Sequence, residues 1–270
     1  MSKILGKGIY VKGQPSAPTA SLTPQAGVTY TNGISGIEPA TLSLLSAAIS
    51  NNANITSTTN TVYVDYKSTH LKIDVANQVT IAMNGKNYAF DVLGFNHDAL
   101  TDAAAYGAAT ATGKAGMTLQ MHDLFVTNYS MNGSGTNSGG WKSSPMRTST
   151  MATMKGYMPT AWQSVIKKVD KKSGLGGGSS SGTETTSDDL FLLAEQEVFV
   201  SIQMSVSGEG TWYAYYRYQP VGSNIKEDSS WWLRSPFYKD SYAFCCVDDI
   251  GDINADDAEL SNGVAFAFCI

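Results

Sequence analysis

The chain has 270 residues, 42% of them hydrophobic and only 15% charged, with a formal net charge of −5. That is enough apolar material for one large domain or two small ones, and the acidic balance argues against a nucleic-acid partner. The opening stretch, MSKILGKGIYVKGQPSAP, has no apolar run of signal-peptide length, and nowhere do about eighteen apolar residues follow one another. A chain made in the cytosol, with no membrane insertion, is expected. Residues 1 to about 36 are rich in Gly, Pro, Ser and Thr and read as an extended docking arm. Pro39 at a first helical position, followed by Leu42, Leu45 and Ile49, predicts a short helix ending at Asn51-Asn52. Its narrow apolar stripe requires packing on the main domain or on a neighbouring subunit.

Strand signals follow at 61–66 and 71–75, then at 79–83 and 87–95 around Asn84-Gly85, the strongest two-residue hairpin signal. The main domain is expected to begin there, giving a small attachment or oligomerisation region over 1–78 and a second domain over 79–270. His97-Asp98 reads as a loop hydrogen-bonding pair, because no nucleophile in a strained Gly-x-Ser-x-Gly turn accompanies it. Leu119, Met121, Leu124, Phe125 and Val126 predict a helix over 117–131. Trp141 is expected to anchor the Asn-, Ser- and Gly-rich loop before it. Thr160 as N-cap, with Trp162, Val165, Ile166 and Val169 on one face, predicts a helix over 160–172 whose lysines form a solvated face. Residues 173–189 read as a flexible surface loop, and 198–206 and 212–218 as strands.

Cys245, Cys246 and Cys269 are too few and too late in the chain for a disulfide framework, and His70, His97 and His122 have no zinc spacing. The span 248–259 has EF-hand length, but Ile250 stands where a ligand is needed and Ile253 where the turn wants Gly. No metal or cofactor is expected.

The last forty residues organise the reading. Trp231, Trp232 and Leu233 form an apolar block, and Val264, Phe266, Phe268 and Ile270 alternate with small residues at the period of a strand. Between them, 237–262 mixes aromatic, acidic and small residues without period. Residues 237–270 hold six Asp and one Glu against one Lys, a local charge of −6, which leaves +1 for the other 236 residues. The WWLRSP block, a middle punctuated by Phe244, Cys245, Val247, Gly251, Ala258 and Ser261, and the closing NGVAFAFC resemble the variable region of diversity-generating retroelement target proteins of phages of gut bacteria. Upstream, Gly94 to Asp98, NSGGWKSSPMR and TSDDLFLLAEQE occur in an order similar to that of a large uncharacterised family of bacterial and phage domains.

The resemblance implies an α+β chain with a C-type lectin-like fold, a mixed or antiparallel sheet and two helices, with a variable region over about 231–270. In such systems template adenines are randomised, so an AAC codon yields Phe, Tyr, Asp, Ala, Cys, Ile, Leu, Ser or Asn among others. Phe237, Tyr238, Asp240, Tyr242, Ala243, Cys246, Asp248, Asp249, Ile250, Asp252, Asn254, Asp256, Asp257 and Leu260 fall inside that set, and Lys239 and Glu259 outside it. Those fourteen positions are the expected ligand-binding residues. The function implied is a phage tail receptor-binding protein that recognises a protein or glycan of the bacterial surface. Its arm would join virion tail proteins, a homotrimer would give avidity, and no enzyme activity is expected. The alternatives are an oxidative enzyme of the formylglycine-generating type using the cysteines, and a structural tail or baseplate component.

Overall fold

The computed structural model describes residues 17–106 and 111–270, so the first 16 residues of the expected arm lie outside the described residues, while its remainder, 17–36, is no free extended arm, since two of its segments pair into a sheet and Ile34 is buried in the core. Strands β1 (Thr19–Ser21) and β2 (Thr31–Asn32) precede helix α1 (Pro39–Ser50), and β3 (Thr61–Tyr66) and β4 (Thr69–Asp74) complete a four-stranded sheet in the order β1-β3-β4-β2. The hairpin β5 (Gln78–Met83) and β6 (Lys86–Phe95) turns through Asn84 and Gly85, both at positive φ, as expected of that dipeptide. Strand β7 (Met117–Met121) follows. Helix α2 (Gly140–Ser143), a π-helical turn over Met146–Thr150, α3 (Met151–Tyr157) and the single turn α4 (Thr160–Gln163) lead to the hairpin of β8 (Val169–Gly174) and β9 (Thr183–Asp188). Then come β10 (Leu190–Phe191), α5 (Glu195–Val198), α6 (Ala214–Tyr218), and the strands β11 (Trp231–Pro236), β12 (Ala243–Val247), β13 (Ile253–Asp257) and β14 (Ala267–Cys269).

The architecture is α+β. An antiparallel five-stranded sheet has the order β10-β14-β7-β6-β5, and a three-stranded one the order β11-β12-β13. The last strand thus lies inside the larger sheet. Residues 263–270 are all buried, and Phe266 and Phe268 pack on Phe90 at 5.6 and 5.5 Å between ring centres. Their alternation is one of large and small side chains between two covered faces. Helix α1 packs on the main domain. The Ser46 hydroxyl donates to the Ile270 carbonyl, and the buried Asn96 amide donates to the carbonyls of Ile49 (3.0 Å) and Ile55 (2.9 Å).

Several expected elements differ. The helix over 117–131 is β7 and a turn, because a central strand covered on both faces shows no alternation of polarity. The helix over 160–172 is one turn followed by β8, with Lys167 and Lys171 buried instead of solvated. The flexible loop over 173–189 shrinks to 175–182, since Thr183 to Asp188 pairs with β8. The strands over 198–206 and 212–218 are a long loop and helix α6. Residues 237–262 contain β12 and β13.

Candidate functional site

Strand β11 is the spine of the C-terminal region because each of its polar side chains reaches a different loop. The indole N–H of Trp231 donates to the Asn224 carbonyl (3.0 Å) and that of Trp232 to the Tyr129 carbonyl (2.7 Å). Ser235 accepts from the Glu195 N–H at 3.0 Å and donates to the Glu209 carboxylate. Arg234, with no solvent exposure, gives all five of its N–H groups to acceptors. It grips Glu197 through two bonds (2.5 and 3.0 Å) and donates to the carbonyls of Lys172 (2.9 Å), Leu192 (2.9 Å) and Glu209 (2.7 Å).

Glu197 continues a buried charge ladder. Its other neighbour is the Lys171 ammonium at 2.7 Å, which is also 2.6 Å from Asp98. Asp98 accepts in addition from Thr118 (2.5 Å) and Tyr213 (2.8 Å). Burial alone would raise the Asp98 pKa, but Lys171 and His97 beside it hold it well below the usual range. Glu197 is likewise depressed, burial being outweighed by Arg234 and Lys171. Glu209 goes the other way: burial pushes its pKa up to about 7, against its bonds from Ser235 and the Gly174 N–H and the attraction of Arg234.

A cavity of about 490 Å³ opens over this ladder, and His97, Asp98 and Glu197 lie close enough to share a metal ion. The Lys171 ammonium stands between the two carboxylates at bonding distance from both, and a cation there would meet like charge. The ladder therefore holds β8, α5 and β11 together. The three thiols are equally unsuited to attack, since burial raises the pKa of Cys245, Cys246 and Cys269.

The surface above β11 is organised by Asn137. Its buried amide donates to the carbonyls of Phe237 (3.3 Å), Asp240 (3.1 Å) and Ala243 (2.6 Å), and its backbone N–H donates to the Ser241 carbonyl at 2.9 Å. Every one of these Asn137 contacts is to backbone, so this part of the anchoring of 237–243 does not depend on the side chains that the loop carries. Strand β12 is buried along its whole length and β13 lies outside it at the sheet edge.

Within this frame the fourteen sequence-predicted positions divide. Ala243 and Cys246 are buried in β12 and present no surface. Three acids serve the frame: Asp240 accepts from the N–H groups of Tyr242 and Ala243, Asp248 from those of Ile250 and Asp252, and Asp256 from the Asn262 amide. The other nine, Phe237, Tyr238, Tyr242, Asp249, Ile250, Asp252, Asn254, Asp257 and Leu260, have side chains directed outward in whole or part. Tyr242 is 52% exposed, Ile250 68% and Leu260 49%. Phe237 and Tyr238 meet edge to face at 5.8 Å, and the Lys239 ammonium lies 5.3 Å over the Tyr238 ring. Of the punctuating residues, Phe244, Cys245, Val247, Gly251 and Ala258 are buried and Ser261 is exposed.

Sequence reasoning missed the ladder, whose members come from four separate segments. The segments NSGGWKSSPMR and TSDDLFLLAEQE, far apart in the chain, bind each other: the Trp141 indole N–H and Arg147 both donate to Asp188, at 2.9 and 2.6 Å.

A family model described as a domain of unknown function (DUF6273) matches residues 115–270, more than half of the chain, taking in β7, the Asn137 clamp, β11 and the C-terminal hairpin. No curated protein and no solved structure matches the chain.

Proposed function

The chain belongs to the DUF6273 family, and from the geometry of its C-terminal surface we propose that it is a diversified ligand-binding protein built on a C-type lectin-like scaffold. The observation that carries this reading is the division within 237–260. Nine outward side chains are mounted on a loop and hairpin anchored by backbone groups, by buried residues and by the three acids Asp240, Asp248 and Asp256. Such a surface can change its side chains while its fold stays fixed, which is what a recognition site under diversification requires. Tyr238, Tyr242 and Phe237 offer rigid contact area at low entropic cost, and the acids offer charge complementarity. In the same reading the protein is a phage tail receptor-binding protein. The N-terminal region attaches it to the virion, a homotrimer supplies avidity, and the ligand is a molecule of the bacterial surface.

The test is adhesion. Fluorescently labelled intact chain is mixed with a panel of intact gut bacterial strains, beside a Tyr242→Ala/Ile250→Ala variant whose melting temperature is checked first. The reading expects retention on a subset of strains and its loss in the variant. Equal retention of the variant, or adhesion to no strain, contradicts it.

A further inference from the structure

The nine outward positions are not the whole of the exposed apolar surface. A groove of about 380 Å³ runs beside the turn over 248–252, lined by Phe199, Trp212, Arg217, Pro220, Val221 and Asn224 among others, and Gly251 forms part of its wall. The loop over 220–225 lies outside the variable segment, yet it is stitched to it. The Asn224 amide donates to the Gly251 carbonyl, and a Cβ at Gly251, which sits at φ +89°, would fall 2.8 Å from Ile225. From beneath, Trp231 holds the same loop through the Asn224 carbonyl.

The loop is well ordered by its own turns, since Ser223 donates to the Pro220 carbonyl and Ile225 to that of Gly222. It nevertheless presents Val221, its apex, fully to solvent, with Ile225 and, across Gly251, Ile250 also exposed; Val200, next to Phe199 of the groove wall, is 76% exposed. Aliphatic groups held out at the rim of a groove by hydrogen-bonded turns are the kind of surface that a partner can cover. At the same end stand Asp249 and Asp252, both exposed.

We infer that the constant loop 220–225 and the variable turn 248–252 form one recognition cleft, and that its occupant is a polypeptide segment presenting an apolar side chain flanked by Lys or Arg. The inference rests on the reading of 237–260 as a recognition surface and narrows the ligand to protein. Charge complementarity selects the flanks: Asp249 and Asp252 on the turn outnumber Arg217, the one charged residue lining the groove, so cationic flanks meet the turn and a polyanion such as nucleic acid is disfavoured. Aliphatic chemistry selects the centre: Arg217, Gln219 and Asn224 line the groove, but the rim of Val221, Ile225 and Ile250 would leave a sugar's hydroxyls unpaired and suits an apolar side chain. A second copy of this chain meeting at the cleft about a twofold axis would oppose acid to acid. Val221 supplies affinity common to all variants, and the turn beside it supplies specificity.

The test pans a disulfide-cyclised random-peptide library against the intact chain and measures the selected peptides on Val221→Asp, Asp249→Lys, Tyr242→Ala and, as a surface control on α1, Leu44→Asp. A glycan array is probed in parallel. The expected result is a set of peptides combining Lys or Arg with aliphatic or aromatic residues, whose affinity falls about tenfold or more in Val221→Asp and Asp249→Lys and is unchanged in Leu44→Asp. Peptides that depend on Tyr242 and ignore Val221 overturn the cleft and leave the recognition surface standing. Peptides indifferent to Val221, Asp249 and Tyr242 alike overturn both. Glycans whose binding is lost in Val221→Asp overturn the polypeptide assignment.

Discussion

Arg234 and Glu209 are neighbours with opposite energetics. The guanidinium of Arg234 has every donor satisfied and Glu197 as a bidentate partner, so a buried charge is tolerated there because it is fully paired. Arg234→Met leaves Glu197 with Lys171 as its one charged partner, and chemical denaturation is expected to show a loss of about 3–5 kcal/mol; a loss within experimental error would contradict the role given to the ladder. Glu209 is tolerated less well, because burial outweighs its partners and lifts its pKa to about 7 from an ordinary 4.5. An acid raised in the folded state contributes stability that is complete below about pH 4.5 and is lost as the pH rises through about 7. Glu209→Gln is therefore expected to leave stability near pH 5 little changed and to raise it relative to the parent by pH 8, by something of the order of 3 kcal/mol at most. A difference between the two proteins that stays flat from pH 5 to 8 would contradict this. Asp98 and Glu197, held low, act in the opposite sense: their contribution is present above the normal carboxylate range and falls away below it. None of this is visible along the chain, because Asp98, Lys171, Glu197 and Arg234 are at least 26 positions apart from one another and only the fold brings them together.

Among the elements, β8 shows what was legible and misread. From Lys167 to Ser173 the burial alternates residue by residue, with Lys167, Val169, Lys171 and Ser173 inward. The period of two is present in the sequence, but lysines count as outward in any polarity pattern, and the ladder that makes an inward Lys171 tolerable lies elsewhere. Where pattern and chemistry agreed, the elements came out as expected: the Asn84-Gly85 hairpin, the helix opened by Pro39 and the four upstream strands. The loop over 237–243 is the opposite case, since its shape is set by an asparagine a hundred residues away. Asn137→Ala removes one amide group, whose nitrogen reaches three carbonyls of that loop, at once. It is expected to cost about 1–3 kcal/mol and to speed amide hydrogen exchange across 238–243 while the β5–β6 hairpin keeps its protection. Unchanged exchange in that loop would show that the clamp does not hold it.

For the whole molecule, the division of charge matters more than its total. The 34 residues from 237 onward carry −6 while the rest is close to neutral at +1, so one acidic face sits on an otherwise balanced body. The frame beneath that face was partly legible: WWLRSP and the closing NGVAFAFC are the buried spine and the inner strand, and apolar density announces both. Which of the fourteen positions look outward was not legible, because Ala243 and Cys246 are hidden by lying in β12, a strand buried along its whole length, and no alternation of polarity marks such a strand. If side chains in this segment vary while the frame does not, the gene carries the record. The codons of residues 237–262 are read, and the flanking DNA is searched for a near-identical second copy beside a reverse transcriptase gene. The account predicts a copy that differs from the gene only where the copy carries adenine, with most differences at the nine outward positions and none at Phe244, Cys245, Val247, Gly251 or Ala258. No such copy, or differences spread evenly over the buried and outward positions, would contradict it.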